Sequence, residues 1–291
     1  MNSKTKDFPK GAPPQFQTHQ PGIESQMEPK PIFEHYDYKS QGEKLRNKVA
    51  VITGGDSGIG RAVSIAYAKE GAKVAIVHYH TEFEDAKMTQ RIIEDYGKDC
   101  LLIEADLSKP KAAEQIVDKV VQHFKEINIL VNNAAVQFPQ DKFEDIKDED
   151  LHRTFDVNFF GAFYMIKACL PHMQEGDCII NTTSVVAFEG NATLLDYTAT
   201  KGALTSFSKG LSEHLAPRGI RVNCVAPGPI WTPLIPASFK AQRVAEHGAN
   251  TPMKRMGQPV EVAPAYVMLA SKDGSYMTGS TIHINGGTIT N

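Results

Sequence analysis

From about Lys48 onward, short apolar runs rich in β-branched residues alternate with longer stretches whose apolar positions recur at helical spacing. The runs Val49–Thr53, Val74–Val77, Leu101–Glu104, Ile129–Asn132, Cys178–Thr182, Arg221–Val225 and Thr281–Ile284 predict strands. The intervening segments Ile59–Glu70, Glu84–Tyr96, Ala112–Phe124, Glu149–His172, Asp196–Ala216 and Val260–Ala270 predict helices. Strands that are apolar throughout and separated by helices belong in a parallel sheet covered on both sides, because a parallel neighbour is reached only by a crossover. Such crossovers are right-handed, which favours the doubly wound topology. The expectation is an α/β fold: a doubly wound parallel sheet of about seven strands with helices on both faces, forming a single domain over residues 45–291. No internal repeat at solenoid period competes with this pattern.

Residues 1–44 follow neither period. Pro9, Pro13, Pro14, Pro21, Pro29 and Pro31 interrupt a polar stretch, which marks an extension and not a core element. Yet Phe16, Ile23, Met27, Ile32, Phe33, Tyr36 and Tyr38 are more apolar anchors than a solvated linker carries. Two readings stay open: a disordered tail, or a segment packed on the domain or on a neighbouring subunit.

Composition narrows the function classes. A chain of 291 residues, 41% of them hydrophobic, can bury one sizeable core. A net charge of -3 with scattered Lys and Arg offers no footprint for a nucleic-acid backbone, so a small molecule is the expected partner. No apolar run approaches the ~18 residues that cross a bilayer, and the start of the chain lacks an apolar signal core. No membrane partner is expected, and a cytoplasmic location is. Cys100, Cys169, Cys178 and Cys224 are widely spaced among apolar neighbours and read as reduced core residues. His152, His172 and His214 lack companions at ligand spacing, so no metal site is expected. The acidic run Glu144, Asp145, Asp148, Glu149 and Asp150 reads as a solvated helix start favoured by the helix dipole.

Candidate chemistry lies at the strand ends. The first strand runs into Thr53-Gly54-Gly55-Asp56-Ser57-Gly58-Ile59-Gly60 and a helix follows at once, the context of a Rossmann-type dinucleotide turn. Glycines let the backbone approach a pyrophosphate, whose charge the helix start favours. Farther on, Tyr197 and Lys201 stand four residues apart and therefore share a helix face. A phenol of pKa ~10 is a poor acid or base at neutral pH, and a neighbouring ammonium favours its phenolate, tuning Tyr197 toward proton transfer. Ser184 closes the fifth strand, at the carboxyl edge where open α/β sheets place ligands. Asn158 is a mid-helix polar residue in apolar surroundings, which argues for burial with a polar task.

The spacing Gly54, Gly58, Gly60 after Thr53, with Asn132-Asn133-Ala134-Ala135, Tyr197-x-x-x-Lys201 and Pro227-Gly228-Pro229-Ile230-Trp231-Thr232, resembles the short-chain dehydrogenase/reductase family. The resemblance runs from about Leu45 to the end of the chain. The pattern from Pro21 to Pro29 is similar to a bacterial branch with an N-terminal extension, related to glucose dehydrogenase-like members. The resemblance implies an NAD(P)-dependent oxidoreductase that moves hydride between nicotinamide and a carbonyl or alcohol substrate. Tyr197 would be the general acid/base, assisted by Lys201; Ser184 would bond the substrate oxygen, and Asn158 would hold a relay water. Asp106, followed by Leu107, would hold the adenine. Asn133, Ala134 and Ala135 would lie by the nicotinamide ribose, where Ala135 replaces the family's usual glycine. Lys201 would also bond that ribose, while Ile230 and Thr232, in the turn with Pro227 and Gly228, would hold the carboxamide. A non-catalytic dinucleotide-binding regulator or scaffold is the alternative, and a tetramer is the implied assembly.

The end of the second strand, where an acid would select NAD and a cation NADP, carries His78-Tyr79-His80. Asp56, placed near the adenosine ribose by the resemblance, would repel a 2′-phosphate. NAD is therefore favoured over NADP, with Lys87 and Arg61 as the cations to consider if NADP binds. Substrate walls are expected from Gln137 and Phe138, Val185–Glu189, Leu194 and Leu195, and a mostly apolar lid over 231–256.

Overall fold

The computed structural model describes residues 8–9, 11–34 and 42–288; Tyr36 and Tyr38 lie outside them. Seven parallel strands form one sheet in the order β3-β2-β1-β4-β5-β6-β7. They are β1 (Val49–Thr53), β2 (Lys73–His78), β3 (Cys100–Glu104), β4 (Ile129–Asn132), β5 (Cys178–Thr182), β6 (Arg221–Pro227) and β7 (Thr281–Ile284). The expected doubly wound sheet is thus observed, with its order reversing between β1 and β4, where the two halves diverge and leave a crevice at the carboxyl edge.

Alternating strand residues divide two cores. Ala50, Ile52, Ile76, Val131 and Ile180 face α1 (Gly58–Lys69) and α10 (Pro259–Ala270). Val49, Val51, Val77, Leu130 and Ile179 face α3 (Ala112–Phe124) and the helices farther along the chain. The strands read as continuous apolar runs because both faces are covered; each such Val, Ile or Leu contributes roughly 1.5–3 kcal/mol by leaving water. The remaining helices are α2 (Phe83–Asp95), α4 (Asp148–Phe155), α5 (Ala162–Cys169), α6 (Val186–Glu189), α7 (Leu195–Leu215), α8 (Leu234–Ser238) and α9 (Ala241–Glu246).

One predicted helix differs. The stretch expected as a single helix over Glu149–His172 contains a π turn at Asp156–Gly161 between α4 and α5, and ends in a 3-10 turn at Leu170–His172. Hydrophobic period alone does not reveal the π turn. Its cause lies in contacts from outside the helix: the Asn158 amide bonds the backbone of Val136, and Gly161 packs against Leu107 closely enough that a Cβ would lie 3.2 Å from its backbone oxygen. A wider turn of this kind often occurs at functional sites.

The segment 11–34 lies against the domain. Met27 is buried with Tyr197, Trp231, Ile235 and Phe239, the Trp231 indole donates to the Pro29 carbonyl at 2.9 Å, and Val260 N–H donates to Ile32 O at 3.1 Å. Phe16 stays exposed.

Candidate active site

A cleft of about 890 Å³ runs along the carboxyl edge of the sheet, from Tyr79 and Asp106 past the β1–α1 turn to Tyr197. At its centre the turn needs its glycines. Gly54 and Gly58 have φ of +63° and +51°, and a Cβ on Gly60 would sit 1.8 Å from Gly54 O. Only a side-chain-free residue allows that approach of helix to turn. Thr53 braces the turn from β1: its hydroxyl accepts from the Asn133 and Ala134 amides at 2.9 and 3.2 Å. The Asn133 amide in turn donates to Thr53 O and Gly54 O. Ala135 is absent from the positive-φ residues, so alanine fits where a glycine is usual.

At one end, Ser184 follows β5 while Tyr197 and Lys201 stand one turn apart on α7, and all three line the cleft. Burial pushes the Tyr197 phenol up to about 12, with a hydrogen bond to Ser184 acting the other way. Burial lowers Lys201 to about 8. Its ammonium donates to Thr182 O at 2.8 Å and lies 5.5 Å from the Tyr197 ring centroid. In the protein alone, desolvation outweighs the expected depression of the phenol by lysine, and Tyr197 holds its proton at neutral pH. Asn158 sits behind them, outside the cleft, on a separate small cavity that also touches Lys201 and Asn132. Among the described residues, the buried Asn132 Oδ1 has no bonding partner. A polar cavity of about 10 Å³ has room for a single water.

At the other end, Tyr79, Asp106, Leu107 and Arg153 face the cleft. Asp106 bonds Arg153 Nη1 at 2.8 Å and Ser108 N–H at 3.0 Å. Partial burial raises its carboxyl, but these bonds outweigh that and hold it below the ordinary range. Arg153 also lies 5.4 Å from the Tyr79 ring centroid. Its position on α4, just after the acidic run read as solvated, gave no signal in the sequence.

The other expected cofactor residues Ser57, Ile59, Pro227, Gly228, Ile230 and Thr232 also line the cleft, whereas Asp56, Gly60 and His80 do not. Asp56 requires a correction. Its side chain is fully buried among Glu24, Arg61, Glu82 and Asp85, and burial raises it to about 6. It cannot confront a ribose phosphate there. Arg61 is likewise committed: it is 1% exposed and pairs with Glu24 and with Asp85. Glu24 Oε2 accepts the Gly58 amide at 2.6 Å, so the N-terminal segment supports the glycine turn from behind. Sequence reasoning missed Glu24, because a lone acid between prolines reads as solvated.

The segment 231–256, expected as an apolar lid, is mixed in character. Ile235 and Phe239 line the cleft, but so do Arg243, Glu246, His247, Asn250 and Thr251. Burial and Arg243 lower His247 to about 4, leaving it neutral at physiological pH. Of the expected walls, Gln137, Val185, Val186, Glu189 and Leu194 reach the cleft, while Phe138, Ala187, Phe188 and Leu195 do not.

A family model described as Enoyl-(Acyl carrier protein) reductase matches residues 54–289. The chain belongs to the short-chain dehydrogenase/reductase family of nicotinamide-dependent oxidoreductases. It is 56% identical to an uncharacterized oxidoreductase, YhdF, of Bacillus subtilis, over 95% of each chain. It is 51% identical to a glucose and ribitol dehydrogenase of Daucus carota, over 96% of this chain and 97% of that protein. A short-chain dehydrogenase from Burkholderia cenocepacia, solved in complex with NADP, superposes with a TM-score of 0.79 at 30% identity, covering 84% of this chain and 99% of its own. Among the described residues no helix is long and apolar enough to cross a membrane.

Proposed function

We propose that this oxidoreductase interconverts a small polar carbonyl compound and its alcohol, with Tyr197 exchanging the proton. The observation that carries the reading is the convergence of Ser184, Tyr197 and Lys201 in a cleft continuous with the glycine turn. The bound nicotinamide supplies or accepts the hydride. Ser184 and the Tyr197 hydroxyl together fix the substrate oxygen. A phenol held protonated by burial is suited to donate as charge develops on that oxygen. Lys201, lowered to about 8, lies close enough to its charge change to pass a proton onward, and the small cavity beside Asn158 also touches it.

The turn and the cleft fit a dinucleotide: Gly54, Gly58 and Ile59 offer backbone at a helix start, Asp106 and Leu107 face the adenine position, and Asn133, Ala134, Ile230 and Thr232 face the nicotinamide position. NAD is the favoured form, on grounds other than Asp56. Neither Lys87 nor Arg61 borders the cleft, and Arg153 is engaged by Asp106. A hydroxylated substrate agrees with Glu189, Asn191, Arg243 and Asn250 along the wall, and the Daucus carota relative is named for glucose and ribitol. A homo-oligomer, tetrameric by family analogy, would cover the half-exposed aromatics Phe160 and Phe163. The free, buried cysteines suit the reducing cytoplasm.

Nicotinamide absorbance with D-glyceraldehyde, D-glucose and ribitol in both directions, alongside calorimetry with NAD and NADP, tests the reading. We expect turnover with at least one compound and tighter binding of NAD. Equal or tighter NADP binding overturns the cofactor preference. Dinucleotide binding without any turnover would favour the regulator instead.

A further inference from the structure

The N-terminal segment crosses the cleft between its two rims. The Gln17 side chain closes a loop on its own chain, accepting from Ile23 N–H at 2.6 Å and donating to Ile23 O at 2.8 Å. The Gln17 N–H donates to Pro236 O on α8 at 2.7 Å. Gln20 projects from this loop. Its amide donates to Gln137 O and to Ser238 Oγ, the latter at 3.0 Å, and accepts from Gln137 N–H at 3.0 Å. The Gln137 side chain reaches the same Ser238 hydroxyl at 3.0 Å.

Next to it, Pro21 and Gly22 line the cleft. Gly22 lies directly on α8: a Cβ there would sit 2.3 Å from Pro233 O and 2.8 Å from the Ala237 Cβ. Two residues farther on, Glu24 is fastened to the Gly58 amide and to Arg61. The strap is therefore tied to the lid at one side and to the glycine turn at the other.

The loop after β4 is gripped twice in succession. Asn158 exchanges both backbone bonds with Val136, each at 2.9 Å, and Gln20 exchanges both with the next residue, Gln137. Each grip needs a group that donates and accepts at once, which a side-chain amide provides and a carboxylate or alkyl chain does not. The site residue Asn158 holds Val136 from inside the fold; Gln20 holds Gln137 from the strap.

We propose that the strap is a wall of the substrate pocket and that Gln20 is a positioning residue, clasping the β4 loop to α8 and so setting the size of carbonyl compound admitted. This rests on the oxidoreductase reading above. With the clasp intact, the lid segment and the Gln137 loop keep a fixed separation, and small substrates are held against Ser184 and Tyr197. Without it the pocket mouth widens, so small substrates lose contacts and bulky ones gain entry.

The test uses the full chain, Gln20→Ala, Ser238→Ala and the double variant, with D-glyceraldehyde as the small probe and benzaldehyde as the bulky one. Gln20→Ala is expected to raise KM for D-glyceraldehyde about tenfold and the benzaldehyde-to-glyceraldehyde ratio of kcat/KM by a similar factor, the scale of losing a buried bonding pair. NAD affinity should stay within about twofold, and the double variant should show less than the product of the single effects, as residues sharing one bond network do. Trp231 provides an arm independent of turnover, being the only tryptophan and bonded to the strap at Pro29. Its quenching by acrylamide should rise in Gln20→Ala. Unchanged quenching together with an unchanged aldehyde ratio, or an equal loss for both aldehydes with a lower melting temperature, overturns the proposal. If Gln20→Ala does not fold, Ser238→Ala carries the same readouts. If the wild-type chain turns over neither aldehyde, nor D-glucose, nor ribitol, the reading of a small polar carbonyl substrate is what fails, and the quenching arm still decides the strap.

Discussion

The Tyr197 end and the Tyr79 end of the cleft are built by different means. At the first, regular structure places each group: Ser184 comes off β5 and Tyr197 and Lys201 share a face of α7. At the second, Tyr79, Asp106 and Arg153 come from two loops and a separate helix, held by mutual contacts. Proton transfer requires close control of distance, and rigid elements supply it through fixed sequence spacings. Recognition of an adenosine has many geometric solutions, and its residues follow no such spacing.

The largest expected effect is at the first end. Tyr197→Phe should lower turnover by about 100 to 10,000-fold with little change in NAD affinity, since it removes only the transferable proton. Steady-state kinetics with calorimetry checks this. Near-normal turnover would erase the contrast by removing the proton donor from the Tyr197 end.

Next comes the cluster behind the glycine turn, where Arg61 faces Glu24, Asp56 and Asp85, and Glu82 borders the two aspartates. Arg61→Met should destabilise the fold by about 3–5 kcal/mol, the usual cost of stripping the partner from buried charges. Its pH signature follows from burial, which raises Glu24 from 4.5 to about 7 and Asp56 from 3.8 to about 6. Groups whose folded pKa is raised contribute stability below their unfolded pKa and lose it as pH climbs through the folded value. Melting temperature should therefore decline between about pH 4 and 7, and the variant, lacking the arginine that lowers both acids, should continue declining above pH 7. Melting curves across pH would show a parallel offset instead if the cluster did not titrate.

The smallest effect is expected at the Tyr79 end. Arg153→Ala should weaken NAD and NADP alike by about fivefold, the scale of one half-exposed ion pair, because Arg153 acts by orienting Asp106. A loss confined to NADP would show that the guanidinium meets the 2′-phosphate directly, and would make this end as specific as the other.

The same contrast explains what was legible in the sequence. The strands and the Tyr197, Lys201 and Ser184 set could be read because apolar period and short fixed spacings are local properties. Asp56 was misplaced because direction, not position, decides a loop side chain: the turn sends it away from the cleft. Arg153 and Glu24 stayed hidden because each matters through a partner distant in sequence, Asp106 and Gly58. The mixed polarity of the lid was missed because Arg243 and Glu246 look like an ordinary solvated face until the cleft lies beside them.

The π turn at Asp156–Gly161 carries a further consequence, for length. It gives the rod from Asp148 to Cys169 an added residue that shifts the phase of everything beyond it. If the same residues rewound as a plain α-helix, without the wide turn, one half would turn against the other by about 100°. Either Asn158 would swing off the Val136 peptide, or Met165 and Ile166, buried against the sheet, would rotate toward water. Along this rod the register is counted from both ends, and the wide turn is what reconciles the two counts.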